Sequence, residues 1–277
     1  MNKIRIRYNV IFYGIIIIAC IIILYPYFVM AVTALKSLAE MYATEKTVFP
    51  IEYKWSNFIE VWKAAPIFKY FTNSMIVAIG ATIISIVCGV PAAYALARME
   101  FKGKTLFLAT IIASQMFAPV VLIVGIYKLM VGLNLTNSLL GLILINSAFN
   151  QAFTVWLLRG TFMSISPEME NAAFIDGCTT FEAMRKVLLP VAAPGIVTAM
   201  IYVFIDVWNE YTIALTLISS DTLKPISVGI NTFSSYNTIQ WQYLFATSVF
   251  ATIPVVVLFL FIEKYLVSGL TAGGVKE

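Results

Sequence analysis

The chain contains no histidine. That removes the side chain most used for proton transfer near neutral pH and for holding transition metals. Cysteine is scarce: Cys20 and Cys88 lie in apolar stretches and Cys178 in a polar loop. No paired spacing relates them, so neither a disulfide nor a zinc site is expected. Charge is also in short supply. Only 12% of the 277 residues are charged, against about 25% in soluble domains. A phosphate-binding loop is missing as well. Gly103-Lys104-Thr105 echoes the end of one, but the motif needs a glycine five residues before Gly103, and Arg98 stands there. There is no HExxH metal motif and no histidine for a catalytic triad.

What is present is apolar. Hydrophobic residues make up 61% of the chain, and the mean hydropathy is +0.90. A soluble core of this size could not bury that much apolar surface, so the class is an all-α integral membrane protein. The net charge of +4 is modest. It reads as asymmetry between loops, not as affinity for nucleic acid.

A helix needs about 20 apolar residues to cross a bilayer. Six stretches qualify, near residues 10–35, 75–97, 105–127, 138–158, 192–217 and 243–262. Gly132, Asn134 and Asn137 mark a turn between the third and fourth. The first stretch follows Lys3, Arg5 and Arg7 and is too long for the apolar region of a signal peptide. It reads as an uncleaved first span with its basic end in the cytoplasm. With that end inside, the inner segments also hold Arg98, Lys102, Lys104, Arg159, Arg185, Lys186, Lys264 and Lys276. The outer side holds Lys36, Lys46, Lys54, Lys63, Lys69, Lys128 and Lys224. The excess inside places both termini in the cytoplasm. The first outer loop, about 36–70, mixes Trp55 and Trp62 with charges. It suits either an interfacial helix or a docking surface for an outside partner. Pro91, Pro119 and Pro254 read as packing kinks.

The most patterned segment is Glu168–Pro190, a charged island between spans four and five. Ser166 offers a capping hydroxyl and Pro167 takes the first helical position. Glu168 and Glu170 occupy the first turn, where the helix dipole favours negative charge. Met169, Ala172, Ala173 and Asp176 share a face by spacing. Gly177 suits a left-handed C-terminal cap. Thr179 and Glu182 have capping-box spacing for a second helix, and Pro190 is expected to break it from span five. From pattern alone, this pair of helices is either an amphipathic hairpin on the inner leaflet or a docking surface.

The segment resembles the E-A-A-x-x-x-G-x9-I-x-L-P loop of permease subunits of binding-protein-dependent ABC importers. Ala172, Ala173, Gly177, Leu189 and Pro190 match in register. The motif glutamate falls on Asn171 and its isoleucine on Val187. Further likeness to the carbohydrate-uptake branch, of maltose or multiple-sugar type, runs through Phe71-Thr-Asn-Ser74, Ala92-Ala-Tyr-Ala-Leu-Ala-Arg98, Phe101-Lys-Gly-Lys104, Trp208-Asn-Glu210 and the ending from Gly269. It covers about residues 70–277.

The resemblance implies a type I ABC importer permease fold in a bacterial cytoplasmic membrane. It divides the chain into a first helix and outer loop (1–70), a transport domain (71–263) with a coupling loop at 160–190, and a cytoplasmic tail (264–277). It also implies partners: a second homologous permease, two copies of a cytoplasmic ATPase carrying ATP and magnesium, and an external sugar-binding protein. No cofactor is expected in this chain. The coupling positions would be Glu168, Glu170, Asn171, Ala172, Ala173, Asp176, Gly177, Leu189 and Pro190, with Glu170 or Asp176 supplying charge that Asn171 lacks. Gly269 to Glu277 would be a second contact with the ATPases. ATPase closure would draw the coupling helices together and switch the pore between inward and outward access.

Polar residues within spans are costly and face water or partners. Asp206 and Glu210 are expected on one helical face with Asn209 nearby, and Asn146 and Asn150 share a face of span four. They would line the solute path or glue helices together. Three alternatives stand beside the sugar importer: a permease for another small solute such as a glycerol phosphate ester, an intramembrane hydrolase using Asp206 or Glu210, and a passive channel.

Overall fold

A computed structural model describes residues 2–45, 47–235 and 238–274, with side chains described between 11 and 260. Among the described residues there is no β-strand, only an isolated bridge between Ser234 and Ile239. The helices are α1 (Asn2–Ala34), α2 (Leu38–Tyr42), α3 (Asn57–Ala64), α4 (Ile67–Arg98), α5 (Lys104–Ser114), α6 (Pro119–Gly132), α7 (Leu139–Ser164), α8 (Glu168–Ile175), α9 (Thr180–Ala183), α10 (Leu189–Asn209), α11 (Thr212–Leu217), α12 (Ile226–Gly229) and α13 (Trp241–Gly274). Among the described residues, five helices are long and apolar enough to cross a membrane. A sixth span is complete if α5 and α6, bent by 101° from each other, count as one. The expected third span is therefore a broken helix. Pro119 opens its second half, because proline is tolerated at a helix start and not in its interior. The turn expected between spans three and four is present, with Asn134 and Asn137 both at positive φ.

The chain forms two compact units, residues 1–67 with 230–253, and residues 68–229 with 254–277. In the first, the outer loop is folded. Glu40 is buried, close to Lys36, and accepts hydrogen bonds from the Thr47 hydroxyl (2.6 Å) and the Ile51 amide (3.2 Å). Lys36 in turn donates to the Thr47 carbonyl. Asn57, also buried, donates to the carbonyls of Ala34 and Lys36 and so ties α3 to the end of α1. Tyr243 donates to Glu60 at 2.8 Å, and Phe250 packs edge-on against Phe58 and Trp62.

In the second unit α7 is central. α4 and α10 lie against it with small residues at the closest approaches: Gly89 of α4 faces Thr154 of α7, and Gly195 of α10 faces Thr161 of α7. A Cβ at Gly89 would sit only 2.7 Å from the Thr154 methyl. In a bilayer, where apolar burial drives helix association little, such close backbone packing is a main source of adhesion. An apolar core of Val90, Tyr94, Leu158, Phe162, Met184 and Leu188 closes the end of the bundle that carries α8. At the other end, Asn73 donates to the carbonyls of Thr222 and Lys224, the Ser74 hydroxyl accepts from the Ile226 amide, and Tyr70 donates to Asp221. The Phe71–Ser74 segment thus pins the loop leading into α12. Lys224 and Tyr70 hold the Asp221 carboxyl below its ordinary range, the lysine hydrogen bond being the larger cause.

Candidate functional site

The Glu168–Pro190 segment folds as two short helices around Gly177. The Ser166 hydroxyl accepts from the Glu168 amide at 3.3 Å, and α8 begins there. At its other end Gly177 takes φ +86°. The Cys178 amide then reaches the Ala173 carbonyl (3.0 Å), and the Gly177 amide reaches Phe174 (3.1 Å). This is a Schellman cap, and it requires the left-handed residue that glycine supplies most cheaply. The capping box between Thr179 and Glu182 is formed in both directions.

The expected break at Pro190 is not there. Residues 184–188 form a π-helical turn, with the Leu189 amide bonded to the Met184 carbonyl, and the helix runs unbroken from Thr180 to Asn209. Proline at 190 has no amide and crowds the carbonyl four residues back. The wider π turn just before it absorbs that mismatch without breaking the helix.

Within α8 the expected face divides. Asn171, Ala172, Asp176 and Glu168 are exposed, as are Met169 and Ile175, while Ala173 and Glu170 are buried. Glu170 is 4% exposed. Its Oε1 lies 2.5 Å from Arg98 Nε, and its Oε2 accepts from the Tyr94 hydroxyl at 3.1 Å. Arg98 Nη2 also donates to the Ile165 carbonyl. Glu170 therefore cannot replace the outward charge missing at Asn171, because both its oxygens are engaged inward. Glu168 and Asp176 are the carboxylates left exposed on this helix and its C-terminal cap. Leu189 is half-buried and Pro190 exposed, both on the helix beyond the π turn. The docking role expected of Gly269 to Glu277 falls on residues outside those whose side chains are described. Spacing held a signal for the Arg98 contact: Tyr94 and Arg98 are four apart at the end of a span and share a face.

The intramembrane polar residues separate into two groups. Asn150, 4% exposed, donates to Asp206 Oδ2 at 2.9 Å, joining α7 to α10. Both line a cavity of about 850 Å³ bounded by α5, α6, α7 and α10, together with Gln115, Phe153 and Tyr202. The rings of Phe153 and Tyr202 stack with centroids 3.8 Å apart. Asn146 is buried and bonded to the Leu142 carbonyl of its own helix, and Asn209 is bonded to Ile205. Neither lines the cavity.

Glu210 does not share a face with Asp206. α10 ends at Asn209, and the Glu210 backbone turns to an extended conformation. Its carboxylate accepts from the amides of Ile213 (2.6 Å) and Ala214 (3.0 Å), capping α11. The expected helix through residue 217 stops here because these amides take a side-chain partner in place of a helical one. The two carboxylates, either of which a hydrolase would have used, are engaged differently: Asp206 with Asn150, and Glu210 with the amides that open α11. No group of three or more His, Cys, Asp or Glu side chains that could hold a metal occurs among the described residues.

Comparison with known proteins agrees with this architecture. The family model described as binding-protein-dependent transport system inner membrane component matches residues 85–271. The sulfoquinovosyl glycerol transport system permease protein SmoH of Agrobacterium fabrum is 37% identical over 253 residues, covering 91% of this chain and 89% of that protein. The diacetylchitobiose uptake system permease protein DasC of Streptomyces coelicolor is 31% identical over 254 residues, 92% of each. Among solved structures, a chain of a bacterial ABC transporter involved in alginate import superposes with a TM-score of 0.80 at 22% identity, over 93% of this chain and 96% of that one. That likeness shows a shared fold. With the family match spanning most of the spans and the whole Glu168–Pro190 segment, the chain belongs to the inner membrane components of binding-protein-dependent transport systems, a multi-pass transporter subunit and not an enzyme.

Proposed function

We propose that the chain is one transmembrane half of an ATP-driven importer of a sugar, in the oligosaccharide size range, in a bacterial cytoplasmic membrane. The observation that carries this is the α8–α9 pair. Two capped helices hold an exposed surface of Asn171, Ala172, Asp176 and Met169, while Glu170 fastens the same helix to the transmembrane core. A surface both rigid and exposed suits transmission of force from a partner. An amphipathic hairpin resting on lipid would need neither the buried ion pair nor the Schellman cap.

The relatives support the solute class. SmoH is named for sulfoquinovosyl glycerol, DasC for diacetylchitobiose and MelC of Bacillus subtilis for melibiose, raffinose and stachyose. The partners proposed with it are a second homologous permease, two copies of a cytoplasmic ATPase that bind ATP and magnesium, and an external sugar-binding protein. The solute path runs through residues 71–263, with Asn150 and Asp206 on its wall. α8 and α9, with Gly177 between them, dock the ATPase, and Leu189 and Pro190 carry its motion into α10.

The test is co-purification of the chain with its ATPase, followed by solute uptake in proteoliposomes. Replacing Ala172 by Trp places bulk on the exposed face without touching the core. The expected result is loss of the ATPase from the purified complex and loss of uptake, with the permease pair intact. Retention of ATPase and of uptake in that variant overturns the docking assignment.

A further inference from the structure

The cavity bounded by α5, α6, α7 and α10 has a one-sided charge. Asp206 is the only charged side chain on its described wall, and no lysine or arginine lines it. The other polar groups there are neutral hydroxyls and amides: Thr110, Ser114, Gln115, Asn150 and Tyr202. Asn150 is itself buried and holds the Asp206 carboxylate from one side, 2.9 Å away, while Asp206 stays exposed. Most of the remaining wall is apolar. A fixed negative charge in such a cleft is screened less than in open water, and it sets the sign of the local potential.

We propose that this cavity is a charge filter that admits neutral or cationic hydroxyl-rich solutes and turns away anionic ones, such as uronates, sulfonated sugars and phosphate esters. An entering anion would shed water beside a carboxylate with no basic side chain on the described wall to offset that loss. A neutral sugar meets no such penalty. Its hydroxyls can donate to Asp206 and accept from Gln115, and its apolar ring face fits the Phe153–Tyr202 wall. The inference rests on the reading that this cavity belongs to the solute path. It separates the chain from a glycerol phosphate ester permease and also from SmoH, named for the sulfonated sulfoquinovosyl glycerol, whose solutes it disfavours.

The test uses the full chain, co-expressed with its partner subunits in membrane vesicles, with Cys20, Cys88 and Cys178 replaced by serine. A single reporter, Ala148→Cys or the isosteric Ser114→Cys, is placed on the cavity wall. Its rate of modification is measured with two methanethiosulfonate reagents of similar size, one trimethylammonium and one sulfonate. The cationic reagent is expected to be favoured, relative to the ratio seen with a small free thiol, by about five- to tenfold. Asp206→Asn, which keeps an oxygen for Asn150, should abolish that preference. A ratio equal to that of the free thiol in the Asp206 protein overturns the filter but leaves the path reading standing. No reaction with either reagent at both reporter positions overturns the path reading itself, and the filter with it.

Discussion

Arg98 and Glu170 form a buried ion pair, Nε to Oε1 at 2.5 Å, that joins the end of α4 to the helix preceding Gly177. Arg98 is also bonded to the Ile165 carbonyl and Glu170 to Tyr94, so neither charge is left with a single partner. α8 is thereby fastened to two transmembrane helices at once: through this pair to α4, and by chain continuity to α7. A force applied to its exposed face reaches both.

The pair should be strongly non-additive on mutation. Removing one partner leaves a buried charge uncompensated, at a cost of about 3–5 kcal/mol. Arg98→Met or Glu170→Met alone should lower the thermal midpoint of the purified complex sharply. The triple change Arg98→Met, Glu170→Met and Tyr94→Phe removes every polar member together and should cost less than the sum of the single changes. Thermal unfolding in detergent of the parent protein, the three single variants (Tyr94→Phe included) and the triple variant checks this. Additive losses would mean that the pair is not a coupled unit.

The turn at Gly177 makes a separate prediction. At φ +86° a side chain costs about 1–2 kcal/mol, and asparagine bears the conformation better than alanine. Nothing lies within 4 Å of the Cβ that a substitution would add, so the penalty is conformational and not steric. ATPase retention after solubilisation should therefore rank Gly177, then Gly177→Asn, then Gly177→Ala. A ranking by side-chain size would contradict it.

Asn171 gives the complementary case. It is exposed on α8, so Asn171→Glu restores the motif's charge without disturbing the core. The variant should hold its ATPase more tightly at low salt, and salt should erase the gain within the screening expected of a surface pair. Co-purification across a salt series measures this. A salt-independent change would assign the effect to shape.

How much of this was legible follows from the kind of signal each element leaves. Hydrophobic length marked every span, and the caps at Ser166, Gly177 and Thr179 were readable because capping depends on a few side chains close in sequence. The bend after Ser114 was not, since a proline starting a second half-helix looks the same as one kinking a single helix. The π turn at Met184–Leu188 was hidden for the same reason: proline at 190 predicts strain, not how the backbone relieves it. Glu170 was misplaced because helical periodicity gives angles around an axis but not which side meets the core. That side was set by Arg98, 72 residues away in sequence. The cavity depends on pairs such as Asn150–Asp206 and Phe153–Tyr202, which no local pattern links.

The Asp221 loop carries a pH signature. Lys224 and Tyr70 hold its carboxyl below the usual value of 3.8. A depressed folded pKa means that the contribution is present above the unfolded value and lost as pH falls through the folded one. The loop before α12 should therefore keep its protection against hydrogen exchange through neutral pH and lose part of it only below about pH 4. Because Asp221 is half exposed, the effect should be small, and Asp221→Asn should flatten it. Loosening near pH 6 would point to another group.

Asp206 and Glu210 separate most clearly by experiment, because spacing made them equivalent and the structure does not. Glu210 accepts from two amides at the start of α11, so Glu210→Ala leaves those donors without a partner and should destabilise the complex by about 1 kcal/mol. It should leave any charge preference of the cavity untouched, since Glu210 is not on its wall. Asp206→Asn should do the reverse, with a small change in thermal midpoint and a large change in how charged solutes are treated. If both substitutions shift stability and charge preference alike, the two carboxylates act as one polar cluster and the division of tasks at Asn209 is wrong.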